Sequence, residues 1–98
     1  MSRFDILETA IEATQSREVQ FGSPENNLGV AADLWTQYLK QIPDGKITAQ
    51  DVTMMMVLFK VARIATGSLN SAGEINPPHE DTLRDIAGYA AIATELHH

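Results

Sequence analysis

Residues Asp51 to Ala65, DVTMMMVLFKVARIA, form the longest apolar run of the chain. After the opening aspartate, only Thr53, Lys60 and Arg63 are polar. At 100° per residue the apolar side chains cover a wide sector and leave one narrow polar strip, which is typical of a helix buried on more than one side. We therefore predict that this helix organises the fold. Lys60 and Arg63 lie one turn apart on the polar strip, so the helix presents two cations together.

The composition limits the class of protein. A chain of 98 residues is long enough for one domain with a single core. Its hydrophobic content of 44% and charged content of 20% are typical of a globular protein. The net charge of -6 makes nucleic acid an unfavourable partner, because its phosphate backbone would be repelled. The absence of cysteine excludes disulfides and thiolate chemistry.

The sequence shows no targeting segment. The N-terminal stretch MSRFDILETA lacks the apolar core of a signal peptide. No apolar run approaches the roughly 20 residues that span a bilayer. These features predict a cytoplasmic protein without membrane contact. We expect a single all-helical domain over residues 1–96, and we interpret the histidines at 97–98 as a purification-tag remnant.

Capping signals and apolar periodicity predict four helices, of which the organising one is the third. Ser2, Ser23 and Thr48 each precede a helical pattern and carry the side-chain oxygen that an N-cap requires. The first, third and fourth predicted helices cover residues 3–17, 49–66 and 79 or 80 to 95. The second opens at Pro24, and its pattern extends to Lys40, ahead of a turn at residues 43–46. We expect the apolar face of the first helix to lie in the core. The sequence therefore predicts an all-α, four-helix bundle-like domain.

Four local features depart from a plain helical pattern. Asn27 falls on the apolar side of its helix, so its amide is expected to point inward and to find a partner there. Gly88 weakens the fourth helix, which indicates the close approach of another helix or of a ligand. Residues 67–78 form a long connection that is expected to be functional or mobile. His79 follows two prolines and is expected to be exposed at the start of the fourth helix.

Asp81 and Asp85 lie at i and i+4 on the fourth helix, where like charges repel unless a cation lies between them. Two such carboxylates can bind a hard cation such as Mg²⁺, while nearby cations bind the phosphates that the metal bridges. We therefore predict a metal site at these aspartates that serves a nucleotide or another phosphorylated small molecule. The residues predicted to contact that ligand are Lys60, Arg63, Asn26 and Asn27.

The same charges also have a purely structural interpretation. Asp81 can stabilise the positive end of its helix or pair with Arg84, and Asp85 can pair with a cation of the third helix. Asn27 can satisfy backbone groups of the neighbouring loop. Under this alternative the protein is a non-enzymatic oligomerisation or protein-interaction module. Its methionine-rich third helix would then fill the core and contribute to assembly.

The chain resembles a small uncharacterised family of phage and prophage domains over residues 21–91. The residues that carry this resemblance are Phe21–Gly22, Glu25–Asn27, Leu34–Trp35, Tyr38–Leu39, Ile47, Asp51–Val52, Met55–Met56, Lys60–Arg63 and Asp85–Ala90. The order of these short motifs along the chain, rather than any one of them, makes the resemblance specific.

More distantly, the chain is similar to the MazG-like all-α nucleotide pyrophosphatases. These are oligomeric helical bundles that bind Mg²⁺ and cleave nucleoside triphosphates to monophosphates. Asp85 matches the aspartate of the E-x-x-D motif of that family, whereas Thr82 occupies the glutamate position beside Asp81. The E-E-x-x-E carboxylates are absent, and the third helix carries Lys60 and Arg63 instead. The resemblance implies a homo-oligomer, predicted here to be a dimer, that binds a nucleotide with Mg²⁺ and either hydrolyses it or only binds it.

Overall fold

The computed structural model describes residues 1–67 and 79–96, and every regular element in these ranges is a helix. The helices are α1 (Arg3–Phe21), α2 (Pro24–Leu39), α3 (Ala49–Thr66) and α4 (Glu80–Glu95). The predicted all-α, four-helix bundle-like domain is thus confirmed over the described ranges. None of these helices combines the length and the hydrophobicity that crossing a membrane requires.

The predicted helix starts are confirmed. The Ser2 hydroxyl accepts a hydrogen bond from the backbone N–H of Asp5 at 3.3 Å, and the Asp5 carboxylate accepts one from the backbone N–H of Ser2 at 3.0 Å. Thr48 and Asp51 form the same reciprocal pair at the start of α3. Each pair satisfies two backbone donors that a helix start would otherwise leave without partners.

Helix α3 is the organising element, as predicted, because α2 and α4 pack on its two sides. Ala62, in the middle of its apolar sector, is completely buried. The Trp35 Nε1–H of α2 donates to the carbonyl of Met55 at 2.6 Å, and the Gln50 side-chain amide of α3 donates to the carbonyl of Ala93 at 2.9 Å. These polar contacts fix the position of both neighbouring helices on α3.

Two expectations for α1 are wrong. The helix continues for one more turn, to Phe21, instead of ending near residue 17. Its apolar face does not lie in the core, because α2 and α4 already cover the apolar sector of α3. Helix α1 meets α3 at its C-terminal end, where Phe21 is buried and its carbonyl accepts a hydrogen bond from the Thr66 hydroxyl at 2.9 Å. Gly22 then reverses the chain with φ of 86°, a conformation that glycine adopts without steric cost.

The exposed position expected for His79 is also wrong. Its side chain is only 1% exposed, and its ring lies 5.7 Å from the ring of Phe21, measured between centroids. Within the described residues neither ring nitrogen has a hydrogen-bond partner. Gly67 leaves the space that the imidazole occupies, because a Cβ atom there would overlap the ring. His79 therefore joins the C-terminal ends of α1 and α3 to the start of α4.

The expectations for Gly88 and for the long connection have different outcomes. Apart from the backbone of its own helix and its chain neighbours, no described atom lies within 4 Å of the position that a Cβ of Gly88 would occupy, so the close approach of another helix is excluded for the described part of the chain. Residues 67–78, which were expected to be functional or mobile, lie outside the described residues except for Gly67. Residues 97–98, interpreted as a purification-tag remnant, also lie outside them.

Acid should destabilise this fold through Asp51. Its carboxylate accepts hydrogen bonds from the backbone N–H of Thr48 and from the Tyr38 hydroxyl, both at 2.8 Å. These bonds, the backbone one first, lower the pKa of Asp51. A carboxyl with a lowered pKa contributes stability that is present above the unfolded pKa of roughly 3.9 and is lost as the pH falls through the folded pKa.

We therefore expect the melting temperature of the wild type to fall more steeply below about pH 4 than that of Asp51→Asn, which lacks this titration. Thermal unfolding between pH 7 and the acid range measures the difference. Asp44→Asn, in the exposed turn before α3, serves as the control and should retain the acid dependence of the wild type. Identical acid dependence in wild type and Asp51→Asn would contradict this role for Asp51.

Candidate functional site

A cleft of about 190 Å³ lies where the C-terminal end of α1, the start of α2 and the second half of α3 meet. Its walls combine two arginines, two aromatic rings and an amide. The lining residues are Thr14, Arg17, Glu18, Phe21, Gly22, Pro24, Asn27, Leu28, Phe59 and Arg63. We call this space the arginine cleft.

Arg63 is held in place by two aromatic rings. Its guanidinium carbon lies 4.7 Å from the ring centroid of Phe21 and 4.6 Å from that of Phe59. Contacts of this kind attract the cation to the ring faces and restrict the side chain to few conformations. Since Phe21 is itself buried, the guanidinium is oriented before any ligand arrives.

The charge of Arg63 is poorly compensated within the protein. Burial is the main cause that lowers the pKa of Arg63, and repulsion from the Arg17 guanidinium is the second. Attraction to Asp85 and Tyr89 offsets part of this decrease. The described residues form two ion pairs, Lys60–Asp85 and Arg84–Asp81. Neither of these pairs includes Arg63 or Arg17. Glu18 lines the same cleft without an ion pair to either arginine in that part of the chain. The arrangement concentrates positive charge that an anion would neutralise.

The start of α2 also borders the cleft, and it carries Glu25 in its first turn. The N-terminal end of a helix carries a partial positive charge and attracts anions. The Ser23 hydroxyl caps this end by accepting from the backbone N–H of Asn26 at 3.2 Å. Asn27 is half-buried and lines the cleft, as its inward position predicted, and its Nδ2 donates to the carbonyl of Ser23 at 3.1 Å. Asn26 is exposed and lies outside the cleft lining.

Lys60 points away from the arginine cleft and forms an ion pair. Its Nζ lies 3.0 Å from a carboxylate oxygen of Asp85, and the two side chains are 12% and 52% exposed. Asp85 also borders a shallow depression of about 330 Å³ on α4, together with Gly88 and Tyr89. The predicted ligand contacts therefore divide between two places, because Arg63 and Asn27 share the arginine cleft and Lys60 does not.

The two predicted metal ligands are each paired with a cation. Asp81 binds Arg84 at 3.1 Å on the exposed surface of α4, and Asp85 binds Lys60. The described residues contain no group of three or more histidines and carboxylates that could hold a metal ion. Both ion pairs would have to open before Asp81 and Asp85 could bind Mg²⁺, so their role as ligands stays a prediction and no metal-dependent step is derived from them.

Sequence reasoning missed Arg17 and the two aromatic rings of the arginine cleft. The predicted helix ended near residue 17, so the prediction lacked the last turn of α1. That turn places Phe21 one helical turn after Arg17, on the side that faces α3. A signal for this was available, since Arg17 lies at i+4 from Ala13 on the apolar side of the helix. Phe59 was assigned to the core with the rest of its helix, and nothing in its spacing showed that it would stack on Arg63.

The two aspartates should differ in their effect on stability. Asp85→Asn leaves the mostly buried Lys60 without its partner, and we expect it to lower the free energy of unfolding by about 1 kcal/mol, a value limited by the solvent that screens Asp85. Asp81→Asn removes an ion pair whose two side chains are exposed. Its free energy of unfolding should therefore stay within about 0.5 kcal/mol of that of the wild type. Urea unfolding of both variants measures the difference, and equal effects would contradict a structural role for the Lys60–Asp85 pair.

Comparisons with known proteins identify relatives but no activity. A family model described as Domain of unknown function (DUF6378) matches residues 5–97. The chain is similar to the Gene 55 protein of Mycobacterium phage L5, with 34% identity over 92 residues, which cover 93% of this chain and 51% of that protein. The chain thus spans about half the length of this phage relative. No solved structure matches the chain.

Proposed function

The chain belongs to this family of unknown function, whose description names no activity, and we propose that it binds a phosphorylated small molecule, such as a nucleotide, in the arginine cleft. Arg63 would contact the phosphate, Arg17 would add a second cation, and Asn27 would orient the ligand. The resemblance to a phage protein supports a phage-type role but supplies no ligand.

One observation carries this proposal: the half-buried Arg63 guanidinium contacts two rings, shares the cleft with Arg17, and lacks an ion-pair partner in the described part of the chain. Burial of a charge and the repulsion between like charges both cost folding free energy. A phosphate would supply the missing negative charge and accept paired hydrogen bonds from the planar guanidinium. The arrangement is therefore better suited to the bound state than to the free state.

The size of the cleft limits the ligand. At about 190 Å³ it is smaller than the roughly 300–1,000 Å³ typical of sites that enclose a drug-sized molecule. A phosphate group fits inside, whereas the sugar and base of a nucleotide would extend towards solvent. The net charge of -6 disfavours an extended polyanion, because the acidic surface as a whole would repel it.

Mg²⁺ and hydrolysis are a separate part of the proposal. The similarity to MazG-like pyrophosphatases supports a metal that arrives bound to the phosphates of a nucleotide, with waters completing its coordination. The ion pairs of Asp81 and Asp85 do not favour a preformed metal site. Ligand binding does not depend on this step, and the test treats Mg²⁺ as an independent variable.

The competing proposal is an interaction module without a small ligand. The Lys60–Asp85 pair favours it, because this pair links α3 to α4 as a structural contact would. Under that proposal the arginine cleft has no ligand and the charges only position helices. The two proposals differ in whether phosphorylated compounds stabilise the protein.

A thermal-shift screen tests the proposal. The compounds are phosphate, pyrophosphate and nucleoside mono-, di- and triphosphates of both sugar types, each with and without Mg²⁺, at constant ionic strength. Unphosphorylated nucleosides are the matched controls. A ligand at about 100 times its dissociation constant adds roughly 2.7 kcal/mol, which corresponds to about 10 °C or more for a domain of this size. A screen in which no phosphorylated compound exceeds its nucleoside control would overturn the proposal.

A further inference from the structure

Helix α1 exposes an entire apolar face to solvent. We define the α1 face as Phe4, Ile6, Leu7, Ala10 and Ile11. The four large side chains are 62%, 55%, 56% and 57% exposed, respectively. Asp5, Glu8 and Glu12 project away from this face, which is apolar over about two turns from Phe4 to Ile11. A contiguous surface of this kind marks an interaction site more often than a solvated one.

The rest of the described chain does not cover the α1 face. The interactions that tie α1 to α3 involve Phe21 at the far end of the helix, where its ring meets Arg63 and its carbonyl meets Thr66. The radius of gyration is 15.7 Å, whereas a compact chain of this length has a radius of roughly 12.6 Å. Helix α1 therefore extends away from the layer that α2, α3 and α4 form.

The accessible surface area shows how much a partner could cover. The chain exposes 7042 Å², whereas a compact monomer of 10.7 kDa exposes roughly 5,500 Å². The excess of roughly 1,500 Å² is larger than the roughly 800 Å² that each partner contributes to a stable interface of standard size. The chain as a whole therefore exposes more surface than a compact monomer of its mass, and the α1 face is one part of that surface.

We propose that a second copy of this chain covers the α1 face with its own α1 face. Such a contact is isologous, because the same patch is used by both copies. The proposal does not depend on a ligand in the arginine cleft.

A depression beside the α1 face, which shares Ile6 and Ala10 with it, can receive a side chain from a second copy. An apolar depression of about 310 Å³ lies along the helix beside Ala10, between Met1, Ile6, Thr9 and Ala13. A large apolar side chain from a second α1, such as Leu7, can enter this depression, as knobs enter holes between paired helices. Arg3 and Glu18 lie near opposite ends of the same side of α1, so an antiparallel pair brings opposite charges together.

Sedimentation velocity tests the proposal on the purified chain and two variants. The molar mass obtained for the wild type should be about twice its monomer mass of 10.7 kDa. Leu7→Glu places a charge in the α1 face, and its molar mass should be that of the monomer. Ser16→Glu adds the same charge to the opposite side of the same helix and should remain dimeric. Ile11→Glu is a second variant of the face and should behave like Leu7→Glu.

Disulfide cross-linking gives a second readout that does not require a variant to disrupt the dimer. Because the chain has no cysteine, Ala10→Cys introduces a unique thiol into the α1 face. Oxidation should yield a covalent dimer of Ala10→Cys in much higher amount than of Gln37→Cys, which lies on the exposed side of α2.

Three results would overturn the proposal. A wild type that stays monomeric at micromolar concentration would assign the α1 face to a different partner, such as another protein or a further segment of a longer chain. A dimer that persists in both Leu7→Glu and Ile11→Glu would place the interface elsewhere. Equal cross-linking of the two cysteine variants would exclude the α1 face even if the glutamate variants failed to fold.

Discussion

Replacement of Gly67 by alanine should lower the free energy of unfolding by about 1–3 kcal/mol, the usual cost of overpacking a filled site. The new Cβ atom would overlap Cε1 and Nε2 of His79 and would lie 2.9 Å from the backbone oxygen of Arg63. The His79 ring is buried against Phe21 and has little space to move. The φ angle of Gly67 is -79°, which alanine adopts freely, so the cost is steric.

Urea unfolding of Gly67→Ala measures this cost, and Gly88→Ala is its matched control. Gly88 lies inside α4 with no described atom near its potential Cβ, so alanine there should stabilise the protein by about 1 kcal/mol through helix propensity. The two substitutions are chemically identical and should have opposite signs. If Gly67→Ala is as stable as the wild type, the position of His79 at the junction of α1, α3 and α4 is wrong.

Arg63→Met should abolish the stabilisation by phosphorylated compounds and leave the ligand-free protein nearly unchanged. Methionine can keep contact with the rings of Phe21 and Phe59, so the packing of the cleft should be conserved. The variant loses favourable cation–π contacts but also removes the burial of a charge and its repulsion from Arg17. Because these terms oppose each other, we expect the stability without ligand to change by less than about 1 kcal/mol.

For the wild type, a ligand at about 100 times its dissociation constant should raise the free energy of unfolding by roughly 2.7 kcal/mol. This increase should be absent in Arg63→Met. Arg84→Met is the control, because it removes an exposed arginine that pairs with Asp81 outside the arginine cleft. It should retain the full ligand effect. A ligand effect that survives in Arg63→Met and disappears in Arg84→Met would move the anion site to α4.

The fold could be predicted where the signals are local. The capping pairs of Ser2 with Asp5 and of Thr48 with Asp51 depend on residues three apart, so the sequence displays them directly. The central position of α3 followed from the width of its apolar sector. The position of α1 could not be predicted, because an amphipathic pattern shows that a face is apolar but not which surface covers it.

The candidate site was predicted in part. Arg63 and Asn27 were expected to contact a ligand and both line the arginine cleft, although no observation yet tests their role. Lys60 was assigned to the same group because it lies one turn from Arg63, but that spacing does not show whether a long side chain turns to α1 or to α4. The partner of each charge depends on helix packing, which residue spacing alone does not reveal.

His79 shows a similar limit. A histidine after two prolines suggested an exposed helix start, whereas burial depends on the approach of Phe21 and on the space left by Gly67. These contacts join residues far apart in the sequence. Without the relative position of α1, α3 and α4, the burial of this side chain could not be inferred.

The most direct test of ligand binding in the arginine cleft is a titration followed by NMR of the arginine Nε–H signals. The chain has four arginines: Arg3, Arg17, Arg63 and Arg84. On addition of the most stabilising phosphorylated compound, the signals of Arg63 and Arg17 should shift together and saturate, while those of Arg3 and Arg84 should stay in place. Shifts confined to Arg3 and Arg84, or unsaturated shifts of all four, would contradict binding in the arginine cleft.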